Sequence, residues 1–421
     1  MVSPVIAIGV LAGVAAIVLR LLLPVLQSLF FVDVTPSMSL LSPFLPVLLP
    51  AFGGLLSGIL VNSLAQEARG AGISHLLQAV LMNGSRVRPR VAVVKLAATS
   101  LVVGSGGSAG IMGPMVQVGG TVGSAVGQML HLSEDRLRIL LASGAAGGMA
   151  AVVNAPISGL FFAQEVILER HGGGAFGLVA LTAATASLIA RPILGVAPLF
   201  PAPQYRMTHP LELLLYLTLG GIAAAIGVAF THTLACFDAL FSRLPVPCHS
   251  KPIVGGIGVG IVGLFFPEVR GLGFETVGAS LEEDLPLTIM AALVVAKLIA
   301  TCLTVGSGAS GGVVGPSLYL GAVLGGTAGT LFHALLPDIT ATSGAYALVG
   351  MAAVFSATFH APITAVSLGL ELTGNYQMIL PLIVGCAAGR YLARRISPHT
   401  IYGFEKSREP TVCPTVRSPL G

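Results

Sequence analysis

Apolar residues along this chain come in long runs. Stretches 4–30, 43–65, 210–235, 285–305 and 376–393 are almost free of charge, and about 20 such residues are what a helix needs to cross a bilayer core. Between them lie shorter apolar runs broken by Gly, Ser and Pro. The predicted elements are membrane helices, several of them interrupted. Because the runs continue from end to end, the first is expected to be a helix of the mature protein rather than a cleaved signal.

The interruptions occur twice. SAGIMGPMVQ (108–117) corresponds to SGGVVGPSLY (310–319), with Met112 over Val314 at an offset of 202. The match reaches back through AVVKLAATSLVVGSGGSAGIMGP (92–114) and VVAKLIATCLTVGSGASGGVVGP (294–316), which places Lys95 over Lys297 and Pro114 over Pro316. Downstream, NAPISGLFFAQEV (154–166) pairs with HAPITAVSLGLEL (360–372), and Glu165 falls over Glu371. Hydrophobicity alone does not align Lys, Gly-Pro, Ala-Pro and Glu. The expected organisation is one transmembrane domain over 1–405, with related halves at about 40–200 and 205–395. A short polar tail at 406–421 follows, with no regulatory soluble domain. Paired repeats with broken helices at matching positions are a transporter and channel plan, with the binding site where the breaks meet.

Composition removes the soluble alternatives. Only 9% of the residues are charged and 54% are hydrophobic, whereas a soluble domain carries roughly 25% charge. A net charge of +4 is too small to imply nucleic acid. The basic residues instead cluster at Arg86, Arg88 and Arg90 and at Arg390, Arg394, Arg395, Lys406 and Arg408, which by the positive-inside tendency are expected to be cytoplasmic, and the termini with them. Five cysteines form no CxxC pair and nine histidines are scattered, so no metal site is expected. GSGASG (306–311) and GSGGSA (104–109) fit a dinucleotide fingerprint, but no acid occurs between 104 and 133, where that fold needs one about 20 residues on. No nucleotide and no cofactor is expected. No nucleophile–base set suggests an enzyme.

The breaks have a chemistry of their own. Irregular backbone survives at membrane depth only where protein buries it or it lines a wet cavity. A Gly-rich turn that restarts a helix leaves N–H groups without intrahelical partners, and with the helix dipole these attract an anion. Pro114 and Pro316 suit a first helical turn, where a missing N–H costs little. Gly119, Gly123 and Gly127, spaced four apart, read instead as close helix packing. Glu165 and Glu371 are carboxylates inside apolar runs, and intramembrane acids are costly. Glu371 reads first as a cap on a neighbouring helix, and Glu165 equally as a cap or as a functional acid. Lys95 and Lys297 either lend positive potential to the site or snorkel to an interface.

At these residues the chain resembles the chloride channel (CLC) family of anion channels and proton-coupled anion exchangers, over roughly 40–405. The family's GSGIP-like, GREGP and GGIFAP-like segments and its late Tyr are matched here by GAGIS (70–74), GIMGP (110–114), GGVVGP (311–316) and Tyr402. The resemblance implies an all-α membrane fold of two inverted-topology repeats whose broken helices meet at a central anion site. It also implies a homodimer in which each subunit holds its own pore. Backbone amides at Ile111, Met112, Gly113, Val313 and Val314, the loop at Ala71 and Gly72, and the Tyr402 hydroxyl would hold chloride or a similar monovalent anion. The departures from the family pattern carry the functional expectation. Met112 stands where the family has its gating Glu, and Ile111 where it has Arg. Val166 stands where exchangers have an internal proton Glu. Ala71 replaces the gate Ser, Ser74 replaces Pro, and Val314 replaces the bulkier Phe. The expectation is a passive anion channel in the inner membrane of a prokaryote, uncoupled from protons. The alternative is an anion/proton exchanger with a non-standard proton route, for which Glu165 is the candidate. A fluoride exporter fits less well, since that branch is expected to keep the gating Glu, and a non-transporting scaffold would not need paired helix-start sites.

Overall fold

A computed structural model describes residues 1–33, 44–169 and 175–403. Lys406, Arg408 and the tail at 406–421 lie outside the described residues. Within them the regular structure is helical, with one isolated β-bridge. Among the described residues, seven helices are long and apolar enough to cross a membrane.

Among the described residues, sixteen α-helices fall into two sets of eight. The first set is α1 Val2–Gln27, α2 Leu45–Leu64, α3 Ile73–Met82, α4 Arg90–Gly104, α5 Met112–Met129, α6 Glu134–Val153, α7 Pro156–Phe162 and α8 Phe176–Leu194. The second is α9 Glu212–Arg243, α10 Lys251–Phe265, α11 Phe274–Leu281, α12 Leu287–Gly306, α13 Val314–Leu335, α14 Ser343–Phe359, α15 Pro362–Thr373 and α16 Ile379–Ile396. Their packing repeats as well. α1 lies against α6 and α8 as α9 lies against α14 and α16, and α5 packs on α6 as α13 packs on α14. Among the described residues, α2 with α10, α5 with α13 and α7 with α15 join the halves.

The relative direction of the halves is written in the α7–α15 pair. At the end of α7 the chain turns as a π-helix, Ala163–Ile167, and Glu165 on it accepts the N–H groups of Ile363 (3.2 Å) and Thr364 (2.8 Å) and the Thr364 hydroxyl (2.7 Å). Glu371, near the end of α15, accepts the N–H groups of Ile157 (2.9 Å) and Ser158 (2.7 Å) and the Ser158 hydroxyl (2.6 Å) at the start of α7. Each helix ends at the other's beginning, so the two run antiparallel. As equivalents in the repeat, they show that one half is inverted relative to the other. Both carboxylates satisfy helix-start donors that lipid could not.

α6 and α14 are buried along nearly their whole length, and helices apolar all round belong in a core. They approach α5 and α13 backbone to backbone. A Cβ on Gly119 would stand 2.1 Å from the Gly144 oxygen, and one on Gly321 2.3 Å from the Gly350 oxygen. Gly123 meets the Leu140 oxygen in the same way, while Gly127 leaves room for the Leu137 side chain. Leucines and valines of α1, α9 and α16 stay exposed on the outside, as a lipid-facing surface requires.

The reciprocal caps carry a stability cost that can be measured. Glu371→Ala removes the acceptor of three donors and is expected to cost about 2 kcal/mol, with Glu165→Ala similar. Thermal unfolding in detergent checks this; an unchanged midpoint for both variants would deny the caps a structural role.

Candidate anion site

α4 ends at Gly104 and the chain re-enters a helix at Met112, after a turn through Gly106 at φ +99°. α12 ends at Gly306 and restarts at Val314, after Gly308 at φ +91°. Only glycine takes that backbone shape without strain. Neither restart has a side-chain cap. The first intrahelical bonds are Met115 N–H to Ile111 O and Ser317 N–H to Val313 O, each 3.0 Å. Among the described residues, the N–H groups of Ile111, Met112 and Gly113, and of Val313, Val314 and Gly315, have no acceptor.

The two restarts meet. Gly110 and Gly312 exchange N–H···O bonds of 2.7 and 2.8 Å in an antiparallel bridge. A Cβ on Gly110 would stand 2.8 Å from Gly315 N, and one on Gly312 3.1 Å from Gly113 N. Both positions must be glycine for the helix starts to close on each other. Hydroxyls pin the crossover from both halves, with Thr99 bonded to Ser310 at 3.0 Å and Thr301 to Ser108 at 3.3 Å. These are the same contact made twice, at the same repeat positions.

A third loop completes the arrangement. The Ala71 oxygen and Ile73 Cδ1 lie 3.5 and 3.6 Å from where a Gly113 Cβ would be, and Gly311 N–H donates to Gly70 O at 3.2 Å. α3 begins at Ile73 with Gly72 as N-cap at φ +85° and no side-chain cap. Lys95 Nζ takes the oxygens of Ala68 (3.1 Å) and Gly70 (2.6 Å). Carbonyls that would repel an anion are thereby held by an ammonium. Lys95 and Lys297 are both fully buried, which corrects the snorkelling reading. Lys297 holds Val269 O (2.9 Å) and Gly271 O (3.2 Å).

Ala71, Ile111, Met112, Val166, Val313, Val314 and Tyr402 all belong to one continuous buried cluster. The structure brings loops 70–73, 109–113 and 310–315 into direct contact. Tyr402 enters from the end of α14, its ring 5.4 Å from that of Phe359, with Ile401 N–H on Thr358 O at 3.2 Å. Val166 sits on the π-helical turn, which packs against α3 and α6. Glu165 and Glu371 lie at the α7–α15 pair. Sequence reasoning missed the Gly110–Gly312 bridge and the Thr–Ser contacts, although Gly, Thr and Ser all recur at the offset of 202. It also missed the π-helical turn, for which the second half gives no counterpart, since α15 is regular through Glu371.

Chemically, the site presents backbone donors and a buried ammonium in an apolar shell, which suits a monovalent anion that sheds part of its hydration.

A model of the voltage gated chloride channel family matches residues 53–394. A ClcB-like chloride channel protein of Ralstonia nicotianae is 32% identical over 380 residues, 89% of each chain. The H(+)/Cl(-) exchange transporter ClcA of Vibrio parahaemolyticus is 33% identical over 368 residues, covering 85% of this chain and 78% of its own. Among solved structures, a slow cyanobacterial Cl-/H+ antiporter superposes with a TM-score of 0.88 at 25% identity, over 96% of this chain and 97% of that one.

Lys95 is the positioning residue most open to test. Lys95→Met takes the ammonium away from the Gly70 and Ala68 oxygens, and is expected to weaken chloride binding at least about tenfold. Lys95→Arg should restore part of it. Titration calorimetry on folded, monodisperse variants checks both; unchanged affinity in Lys95→Met would remove the ammonium from the site.

Proposed function

The chain belongs to the voltage gated chloride channel family, and within it we propose a passive, chloride-type anion channel that moves no protons. Members of this family are transporters and channels rather than enzymes, and the chain is an integral multi-pass membrane protein that transports anions.

One observation carries the uncoupled reading. Met112 and Val166 stand at the two positions where the resemblance implies proton-carrying carboxylates, and both are buried among apolar residues. Neither side chain takes up a proton. An anion at the crossover meets the N–H groups of Ile111, Met112, Gly113, Val313 and Val314, the Ala71–Gly72 loop and the Tyr402 hydroxyl. With Ala71 and Val314 in place of larger or hydroxylated residues, binding is weak and divided between positions, which favours conduction. We assign the chain a homodimer with one pore per subunit, in the inner membrane of a bacterium with cytoplasmic termini; the bacterial relatives and the two arginine clusters support this.

A second reading is an anion/proton exchanger, favoured by the names of the ClcA relatives and of the antiporter structures. It needs another acid, and Glu165 is engaged by Ile363 and Thr364 at the start of α15. Exchange through Glu165 would have to break that cap.

Purified protein in liposomes under a chloride gradient separates the two. The channel reading expects chloride efflux with no linked change of internal pH; proton movement locked to chloride would overturn it. A variant adds a signature. Met112→Glu places a carboxyl, ordinarily titrating at about 4.3, at a fully buried position of the crossover. Chloride flux should then fall as pH rises through its titration between about pH 4 and 8, because only the carboxylate competes with the anion. Flux flat with pH in well-expressed Met112→Glu would place residue 112 away from the pathway.

A further inference from the structure

The loop that starts α11 repeats the loop that starts α3. QEARGAGI (66–73) aligns with PEVRGLGF (267–274), and the backbones agree. Each has a 3₁₀ turn, Gln66–Ala68 and Pro267–Val269. Each follows with two positive-φ glycines, +60° and +85° at Gly70 and Gly72, +60° and +71° at Gly271 and Gly273. Each then opens a helix with no side-chain cap, and a buried lysine holds the carbonyls before it. The inversion carries the two loops to opposite sides of the crossover. Ile73 lies against Gly113, and Phe274 lies against Gly315, its Cε1 3.9 Å from a Cβ position there.

Two buried polar groups at the second loop lack what their chemistry requires. The Lys297 ammonium, fully buried, has two neutral carbonyls and the face of Tyr319 at 4.8 Å. No carboxylate pairs with it among the described residues. Glu268 and Glu275, the acids of this stretch, are partly or wholly exposed. A buried charge without a counter-ion is strongly unfavourable. Tyr319, also fully buried, lies across Gly273, where a Cβ would stand 2.6 Å from its ring. Its hydroxyl oxygen faces the Thr276 side chain in the first turn of α11, and its own O–H finds no acceptor within hydrogen-bond distance among the described residues. A buried donor left unused costs its full desolvation. The Gly273 and Phe274 N–H groups are likewise unspent. A positive charge, a hydroxyl donor and a helix start converge on one place, and one anion satisfies all three.

Building on the anion-channel reading, we propose that the start of α11, at Leu272–Gly273–Phe274, is an additional binding position for a monovalent anion, on the side of the crossover opposite the Ala71–Gly72 loop. Gly273 N–H, Phe274 N–H and the Tyr319 hydroxyl donate, and Lys297 supplies the charge. The edge-on contact of Phe274 with Phe200, at 5.4 Å between rings, dries one wall and selects for weakly hydrated anions. The pathway thereby gains a basic station at a mouth where no carboxylate gate stands.

Crystals of the full chain grown in bromide, read by anomalous diffraction, test this. The expected result is bromide at the crossover near Gly113 and Val314 and a separate bromide at Gly273. Tyr319→Phe, which keeps the ring packing, should lower occupancy at Gly273 as a loss of about tenfold in affinity predicts. Lys297→Met should abolish it, and both should leave the crossover bromide in place. Bromide at the crossover with none at Gly273 overturns the proposal and leaves the channel reading standing. A Gly273 bromide undiminished in both variants overturns the roles of Lys297 and Tyr319. Bromide at neither place, with no chloride flux from liposomes, overturns the channel reading and this proposal together.

Discussion

Two backbone hydrogen bonds, exchanged between Gly110 and Gly312, hold two broken helices against each other at the centre of the molecule. The breaks exist at a depth where water cannot satisfy a backbone N–H, so every donor there needs a partner within the protein or a ligand. The bridge uses one donor and one acceptor from each half and leaves the next donors, at 111–113 and 313–315, uncommitted. Much of the surrounding packing serves that junction. The glycine seams of α5 with α6 and of α13 with α14 bring supporting helices within backbone contact, and the Thr–Ser hydroxyl pairs fix the loops that precede each restart.

The same economy explains the buried charges. A lysine inside a membrane domain is costly, yet both fully buried lysines here face carbonyl oxygens of the loops that begin α3 and α11. Their positive charge is offset by the oriented carbonyl dipoles of those loops. The carboxylates answer the opposite need. Glu165 and Glu371 sit at the starts of α15 and α7, where helix dipoles favour negative charge, and their oxygens are occupied by N–H and O–H donors. Acids are spent on structure at the α7–α15 pair, and the two buried lysines on the loops that begin α3 and α11. That division of labour suits a protein that passes anions.

Inversion gives each device a counterpart. Two caps, two lysine clamps, two hydroxyl pairs and two helix restarts arise from one design used in opposite directions. The halves differ where function asks for asymmetry. Gln117 in the first half stands where the second has Tyr319, and Gln117 donates to the Glu67 oxygen at 2.6 Å. The π-helical turn at Ala163–Ile167 belongs to the first half, where it sets Glu165 toward α15 and leaves Val166 in the buried cluster.

By itself the sequence determined that the chain is a membrane protein, that it contains two related halves, and that each half restarts a helix after a Gly-rich break. Those conclusions rest on run length, charge content and matched Lys, Gly-Pro and Glu positions, which are local or periodic properties. Met112 and Val166 were legible only through the family resemblance, as residues unable to titrate at positions where it implies carboxylates. Only the tertiary structure decided that the halves run oppositely, because direction shows in which helix end each glutamate reaches. It also decided that Lys95 and Lys297 are buried clamps rather than snorkelling chains. Side-chain length permits both outcomes, and only the position of the loop carbonyls selects one. The meeting of residues 110 and 312, two hundred positions apart, lies beyond any local rule: it is a hydrogen bond whose partners come together only once both halves have folded.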